Sequence, residues 1–243
     1  MDSEICIIIP CYNEERRLPV SAFMEFISEN NIHFCFVNDG SSDKTEKVLE
    51  NIRNNNPEKV FVINLTKNVG KAEAIRSAIN QMYKTGSYSY YGYLDADLAT
   101  PLSELSHLYK PFTLSTSVKF VLGSRIKLLG RNVVRTAKRH YPGRVFATFA
   151  SIALQLPVYD TQCGAKLFSS ELIPLAFNEP FISSWLFDVE LIARSKKHFE
   201  HTNIEDYIIE VPLYNWSEIK GSKVKFIHLL KAPFELLKIA LKY

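Results

Sequence analysis

Asp95 and Asp97 bracket a single alanine directly after an apolar run, Tyr90-Tyr-Gly-Tyr-Leu94. On an extended strand end, side chains at i and i+2 point to the same side, so both carboxylates can face one divalent cation. A hard cation such as Mg2+ or Mn2+, held by one or two carboxylates, is completed by phosphate oxygens and stabilises a departing diphosphate. Two further polar loops follow apolar runs: Pro10-Cys-Tyr-Asn-Glu14 and Asn38-Asp-Gly-Ser-Ser-Asp43. Other phosphate chemistries are excluded. None of the nine glycines lies two residues from another, so there is no GxGxxG turn. Gly70-Lys71 is followed by Ala72 without the glycine spacing of a P-loop.

Each loop needs an element to hold it. Apolar, β-rich runs at 5–9, 34–38, 60–65 and 90–94 alternate with amphipathic stretches at 15–30, 43–54, 70–84 and 101–112. This rhythm predicts an α/β fold, a mostly parallel sheet flanked by helices, with ligands gathered where strands end and helices begin. Thr100 and Pro101 read as N-cap and first residue of the fourth helix. Asn13-Glu14 and Ser42-Asp43 read equally well as helix caps or as a binding site. Beyond a strand at 118–123 the rhythm breaks. Helices are expected at 143–154 and 185–197, a strand at 204–211, and a C-terminal amphipathic helix over 222–243, appended to one domain spanning 1–221. In that helix Lys231, Lys238 and Lys242 share a face, and Phe226, Leu229, Leu230, Phe234, Leu237 and Leu241 cover much of the rest. Such a helix suits either a membrane interface or packing against the domain or a partner subunit.

The formal net charge of +3 conceals a segregation. Residues 105–159 hold nine basic side chains and no acid, and 220–243 hold six basic side chains against one acid. Residues 1–104 and 160–219 are each net acidic. The basic band contains Arg125, Arg131, Arg135, Lys138, Arg139 and Arg144, and its partner is expected to be anionic. Four cysteines without paired CxxC spacing argue against a disulfide framework or zinc site and point to a reducing compartment. The first residues lack the basic start of an export signal, and no run reaches the roughly 20 apolar residues needed to cross a bilayer.

Five motifs then occur in a specific order: Ile7-Ile-Ile-Pro-Cys-Tyr-Asn-Glu-Glu15, Val37-Asn-Asp-Gly-Ser-Ser-Asp-Lys-Thr45, Asn68-Val-Gly-Lys71, Asp95-Ala-Asp97 and Gly123-Ser-Arg125. The set resembles inverting family-two glycosyltransferases with the GT-A fold. Asp160-Thr-Gln-Cys-Gly-Ala-Lys-Leu-Phe168 and Trp185-Leu-Phe-Asp-Val-Glu190 are similar to the dolichyl-phosphate glucosyltransferase and mannose synthase branch. Ala165 stands where that branch usually has an aromatic residue.

The resemblance implies a metal-dependent transfer of a hexose, with glucose from UDP-glucose favoured and GDP-mannose as the other donor, to a polyprenyl or dolichyl phosphate. It places Pro10, Tyr12 and Glu14 around base and ribose, Asp39 as acceptor from the base, Lys71 near the nucleotide, Asp95 near the sugar or ribose, and Asp97 on Mg2+ or Mn2+. Arg125 and Arg144 match phosphate contacts, and Arg139 matches less well. Asp188 matches the position of a general base, although a carboxylate there also suits a helix N-terminus. The implied setting is the cytoplasmic membrane surface, peripherally bound, with no nucleic acid partner. A transferase using a sugar hydroxyl in polysaccharide synthesis, and a catalytically silent nucleotide-sugar-binding module, are the alternatives.

Overall fold

The computed structural model describes residues 4–86, 88–199, 203–219 and 226–243, with side chains at all of these except 137–142 and 226–230. In chain order the elements are β1 (Ile5–Cys11), α1 (Val20–Glu29), β2 (His33–Asn38), α2 (Thr45–Asn55), β3 (Val60–Asn64), α3 (Lys71–Thr85), β4 (Tyr90–Leu94) and α4 (Glu104–Leu114). There follow β5 (Phe120–Ser124), β6 (Asn132–Val134), α5 (Ala137–Leu154), β7 (Ala165–Ser169), α6 (Ile173–Ala176), α7 (Phe187–His198), β8 (Ile208–Pro212), β9 (Asn215–Ser217) and α8 (Phe226–Lys242). Two compact units arise: 1–98 with 165–180, and 99–164 with 181–243.

In the first unit the strands run in the order β3-β2-β1-β4-β7. β1 pairs in parallel with both β2 and β4, β2 pairs in parallel with β3, and β7 returns antiparallel to β4. β1 and β2 are nearly continuous apolar runs buried along their length, as strands covered on both faces must be. Phe23 of α1 packs edge-on to Phe34 and Phe36 of β2, with ring centroids at 6.0 and 5.1 Å. Such contacts each add about 1 kcal/mol beyond area burial. Successive strands step outward from β1 to β3, and β4 then lies on the other side of β1. The strand order therefore reverses between β1 and β4, which makes the carboxyl ends of those two strands the expected binding crevice.

The expected helix boundaries shift in two places. Residues 15–17 form a turn, with Arg17 and Leu18 N–H donating to Glu14 O, and Pro19 precedes the true start of α1 at Val20. Thr100 and Pro101 do not begin α4. Pro101 O and Leu102 O accept from Glu104 N and Leu105 N in a separate turn, and Ser103 occupies the N-cap.

In the second unit β5 pairs in parallel with β8, and β6 with β9. The expected strand at 204–211 is shorter, because Ile204–Asp206 form a 3-10 turn before β8. Helices α5, α7 and α8 pack on one another. α5 begins earlier than the expected 143, and the C-terminal helix forms as expected, with 220–225 outside the described residues.

Candidate active site

In the first unit, the loops after β1 and β2 are stitched together by side chains. Asn13, left-handed at φ 54°, donates its backbone N–H to Ser41 Oγ at 3.0 Å, and its side-chain oxygen accepts from Ser42 N at 2.9 Å. Glu14 N donates to Thr45 Oγ1 at 2.8 Å, and Asp43 accepts from Glu15 N and Thr45 N. Asn13 therefore ties two loops together and does not cap α1, whose N-cap is Pro19. This network of hydrogen bonds holds the loop after Pro10 with Tyr12 exposed and Glu14 buried.

Asp39 is the anchor of the next loop. Its Oδ1 accepts Val69 N at 2.7 Å, and its Oδ2 accepts Gly70 N and Asn68 Nδ2, both at 3.0 Å. The carboxylate thus shapes the approach to α3, whose first residue is Lys71. Gly40 beside it adopts φ 62°, and a Cβ there would lie 2.4 Å from Lys67 C, so only glycine lets the two loops meet.

β4 ends at Leu94, and Asp95-Ala-Asp97 form a turn closed by Leu98 N donating to Asp95 O at 3.2 Å. The strand-alternation reason for pairing the two carboxylates does not apply, because the backbone has already turned. Neighbouring cations do the positioning. Lys71 Nζ lies 2.6 Å from Asp95 Oδ1, and Arg17 Nη2 lies 3.6 Å from Asp97 Oδ2. Arg17 also approaches Glu14 Oε1 at 3.5 Å, so it links the loops after β1 and β4 across the strand reversal. Both carboxylates are part-exposed and held by long, flexible cations. Among the described residues no group of three or more His, Cys, Asp or Glu could hold a metal. Two hard oxygen donors fit a Mg2+ or Mn2+ ion that takes its remaining ligands from phosphate and water.

Two residues escaped the sequence reading. Arg17 gave no signal beyond lying three positions after Glu14. Lys166, fully buried on β7 and paired in register with Tyr93, sets its Nζ 5.5 Å from the Tyr93 ring centroid, with Lys71 Nζ at 5.6 Å. A lysine in an otherwise apolar strand was the available signal. Ala165 is buried opposite Leu94.

In the second unit, Arg125 binds Asp160 through Nε at 2.6 Å, Nη2 at 2.7 Å and its backbone N at 3.0 Å. Burial alone would raise the Asp160 carboxyl, but the Arg125 charge and hydrogen bonds hold it down at about 2. Glu210 accepts Tyr159 N and Asp160 N at 2.7 and 2.6 Å, and burial pushes its carboxyl above the usual range. Arg144 Nη1 donates to Tyr159 O at 2.8 Å and stacks on the Tyr159 ring at 3.5 Å. Arg131 stacks on Tyr214 at 3.4 Å, and buried Glu104 fixes that loop by accepting Tyr214 N and Asn215 N. Arg135 is lowered by burial and then by the nearby Arg125 charge. The Lys138 and Arg139 side chains lie outside the described residues. Asp188 is 4% exposed in the first turn of α7. Arg125, Arg135 and Arg144 thus gather about the segment 159–160.

The family model for glycosyl transferase family 2 matches residues 6–173. This chain belongs to that family. Family members with curated names include a dolichyl-phosphate beta-glucosyltransferase of Trichomonas vaginalis, 30% identical over 249 residues, covering 97% of this chain and 70% of that protein. The mouse dolichyl-phosphate beta-glucosyltransferase is 32% identical over 267 residues, covering 99% of this chain and 76% of its own. The Saccharomyces cerevisiae enzyme of the same name is 30% identical, covering 100% and 76%. Among solved structures, glucosyl-3-phosphoglycerate synthase of Mycobacterium tuberculosis, in complex with Mn2+, UDP and glucosyl-3-phosphoglycerate, superposes with a TM-score of 0.70 at 16% identity over 99% of this chain and 79% of that one. That likeness shows the GT-A fold. The family-two chain described here is an inverting glycosyltransferase.

Proposed function

We propose that this transferase moves glucose from UDP-glucose to a dolichyl or other polyprenyl phosphate at the cytoplasmic face of a membrane. The observation that carries the donor half is the turn at the β1/β4 reversal, where Lys71 and Arg17 each hold one carboxylate of the Asp95 and Asp97 pair. The acceptor half is supported by full-length similarity to dolichyl-phosphate beta-glucosyltransferases.

Pro10, Tyr12 and Glu14 would line base and ribose, with Asp39 accepting from the base and Asp95 facing the sugar or ribose. Asp97, with Asp95 beside it, would hold Mg2+ or Mn2+, which when bound supplies positive charge to the departing diphosphate. Lys71, freed from Asp95, would follow the same charge. A phosphate oxygen of the acceptor attacks the anomeric carbon from the face opposite the diphosphate, and the bond to UDP breaks as the new one forms. A phosphate monoester has a second pKa of about 6, so the nucleophile is already ionised at neutral pH. The second unit then needs charge more than a base. Arg144 would contact the acceptor phosphate, with Arg125, engaged by Asp160, as a second cation of the same unit. Asp188 would orient acceptor-side groups.

Incubation with radiolabelled UDP-glucose or GDP-mannose, Mn2+ or Mg2+ and polyprenyl phosphate, followed by organic extraction, tests the reading. Label from UDP-glucose is expected in the organic phase. Label from GDP-mannose alone would change the donor. Label from neither, with transfer to a saccharide instead, would establish the sugar-hydroxyl reading.

A further inference from the structure

Arg17 is held between two carboxylates and bonded closely to neither. Its Nη1 lies 3.5 Å from Glu14 Oε1 and its Nη2 lies 3.6 Å from Asp97 Oδ2, so one guanidinium straddles both acids. Arg76, Arg125 and Arg194 meet their own acids at 2.7, 2.6 and 2.7 Å, the span of a fully made charge-assisted bond. The backbone around Arg17 is nevertheless fixed. Arg17 N and Leu18 N donate to Glu14 O at 3.0 and 2.9 Å, and Glu14 N is tied to Thr45 Oγ1 at 2.8 Å. Leu98, left-handed at φ 51°, closes the turn that carries Asp97. The frame is firm and only the tip of Arg17 is loosely seated.

Asp97 is the carboxylate that the proposed function gives to Mg2+ or Mn2+, and a guanidinium facing its Oδ2 competes with the metal for that oxygen. Charge decides when it yields. Glu14, Asp95 and Asp97 face Arg17 and Lys71, three acids against two bases. A divalent ion arriving alone has to displace Arg17 from Asp97 and leaves the cluster positive. Arriving with the doubly negative diphosphate of a nucleotide sugar, it leaves the local charge as it was. The displaced guanidinium then meets phosphate oxygens, which its planar fork suits. Glu14, three positions before Arg17, keeps the side chain at the site through the exchange.

We infer that Arg17 is a displaceable counter-cation of the donor site: it holds Asp97 until metal and diphosphate arrive together, and then, tethered by Glu14, turns to the diphosphate. The inference rests on the reading of Asp95 and Asp97 as the metal site and extends that site to a residue outside the five ordered motifs.

The test is titration of the full chain with Mn2+, followed by electron paramagnetic resonance, without and with UDP. Without nucleotide, Arg17→Gln is expected to bind Mn2+ about three- to fivefold more tightly than wild type, the gain from removing a part-exposed ion-pair partner. Its UDP affinity at saturating Mn2+, measured by calorimetry, should fall about tenfold. A damaged scaffold would weaken both affinities, so opposite changes separate exchange from misfolding. Arg17→Lys keeps the charge and should match wild type for Mn2+ alone. Arg53→Gln, which removes an equal charge from the last turn of α2, should change neither affinity. In an Asp97→Asn background the gain from Arg17→Gln should vanish, since the two side chains act on each other. Mn2+ binding to Arg17→Gln no tighter than to wild type, or a gain that survives Asp97→Asn, would overturn the inference. Wild type that takes up no Mn2+ even with UDP would overturn it together with the metal reading. Uptake that is lost in Asp97→Asn but untouched by Arg17→Gln would overturn the inference alone.

Discussion

Arg125 and Asp160 meet in a two-point ion pair, 2.6 and 2.7 Å, that also captures the Arg125 backbone N–H. The pair is nearly enclosed, and Glu210 holds the backbone of Asp160 from the other side. An arginine that reads in sequence as a phosphate ligand is in the fold the partner of a structural acid. Its neighbours Arg131 and Arg144 instead stack on tyrosines.

Asp160→Asn is expected to lose about 3 kcal/mol of stability, because breaking a buried pair leaves the guanidinium uncompensated. The pH dependence has a definite sign. The Asp160 carboxyl is depressed from 3.8 to about 2, so its contribution is complete above about pH 4 and lost as pH falls toward 2. Glu210, raised by burial, titrates in the opposite sense, so the difference between wild type and Asp160→Asn isolates the Asp160 part. Urea denaturation at a series of acidic pH values measures it, and parallel curves for the two proteins would refute the assignment.

Asp39→Asn replaces one acceptor oxygen by a donor that faces Gly70 N–H or Val69 N–H. The expected cost is about 2 kcal/mol for the stranded donor. Affinity for UDP, measured by calorimetry, should fall together with stability as the approach to Lys71 loosens.

Lys71→Met separates catalysis from folding. The Lys71 and Asp95 side chains are 36% and 41% exposed, and exposed pairs contribute under about 1 kcal/mol. The melting temperature should barely move. The kcat/KM for UDP-glucose should drop about 100-fold, as when one preorganised donor to developing charge is removed. A large fall in melting temperature with unchanged turnover would place Lys71 in the scaffold instead.

Asp188→Asn distinguishes the acceptor classes. With a phosphate acceptor, transfer should stay within about tenfold of wild type and remain flat from about pH 7 to 9, since the nucleophile is ionised there. Loss of several orders of magnitude would make Asp188 an essential base and favour a hydroxyl acceptor.

Much of the fold could be read from periodicity. The runs around β1 to β4 and α2 to α3 matched their elements because each apolar strand is short and each helix carries one apolar face. The misreadings fell at junctions. Thr100-Pro101 has the composition of a helix start, yet a turn comes first. Asn13 has the residue type of a cap, yet it serves the loop after the neighbouring strand, through a contact to Ser42 29 positions away.

The ordered loops and the DxD segment were determined by the chain itself: local residue types decide which turns can present oxygen donors at strand ends. The reversal of strand order at β1 and β4, the engagement of Asp95 by Lys71 and of Asp97 by Arg17, and the commitment of Arg125 to Asp160 were decided only by tertiary structure. Each depends on a pairing between segments remote in sequence, and a charge pattern along a chain does not say which opposite charge folding will bring within reach of an ion pair.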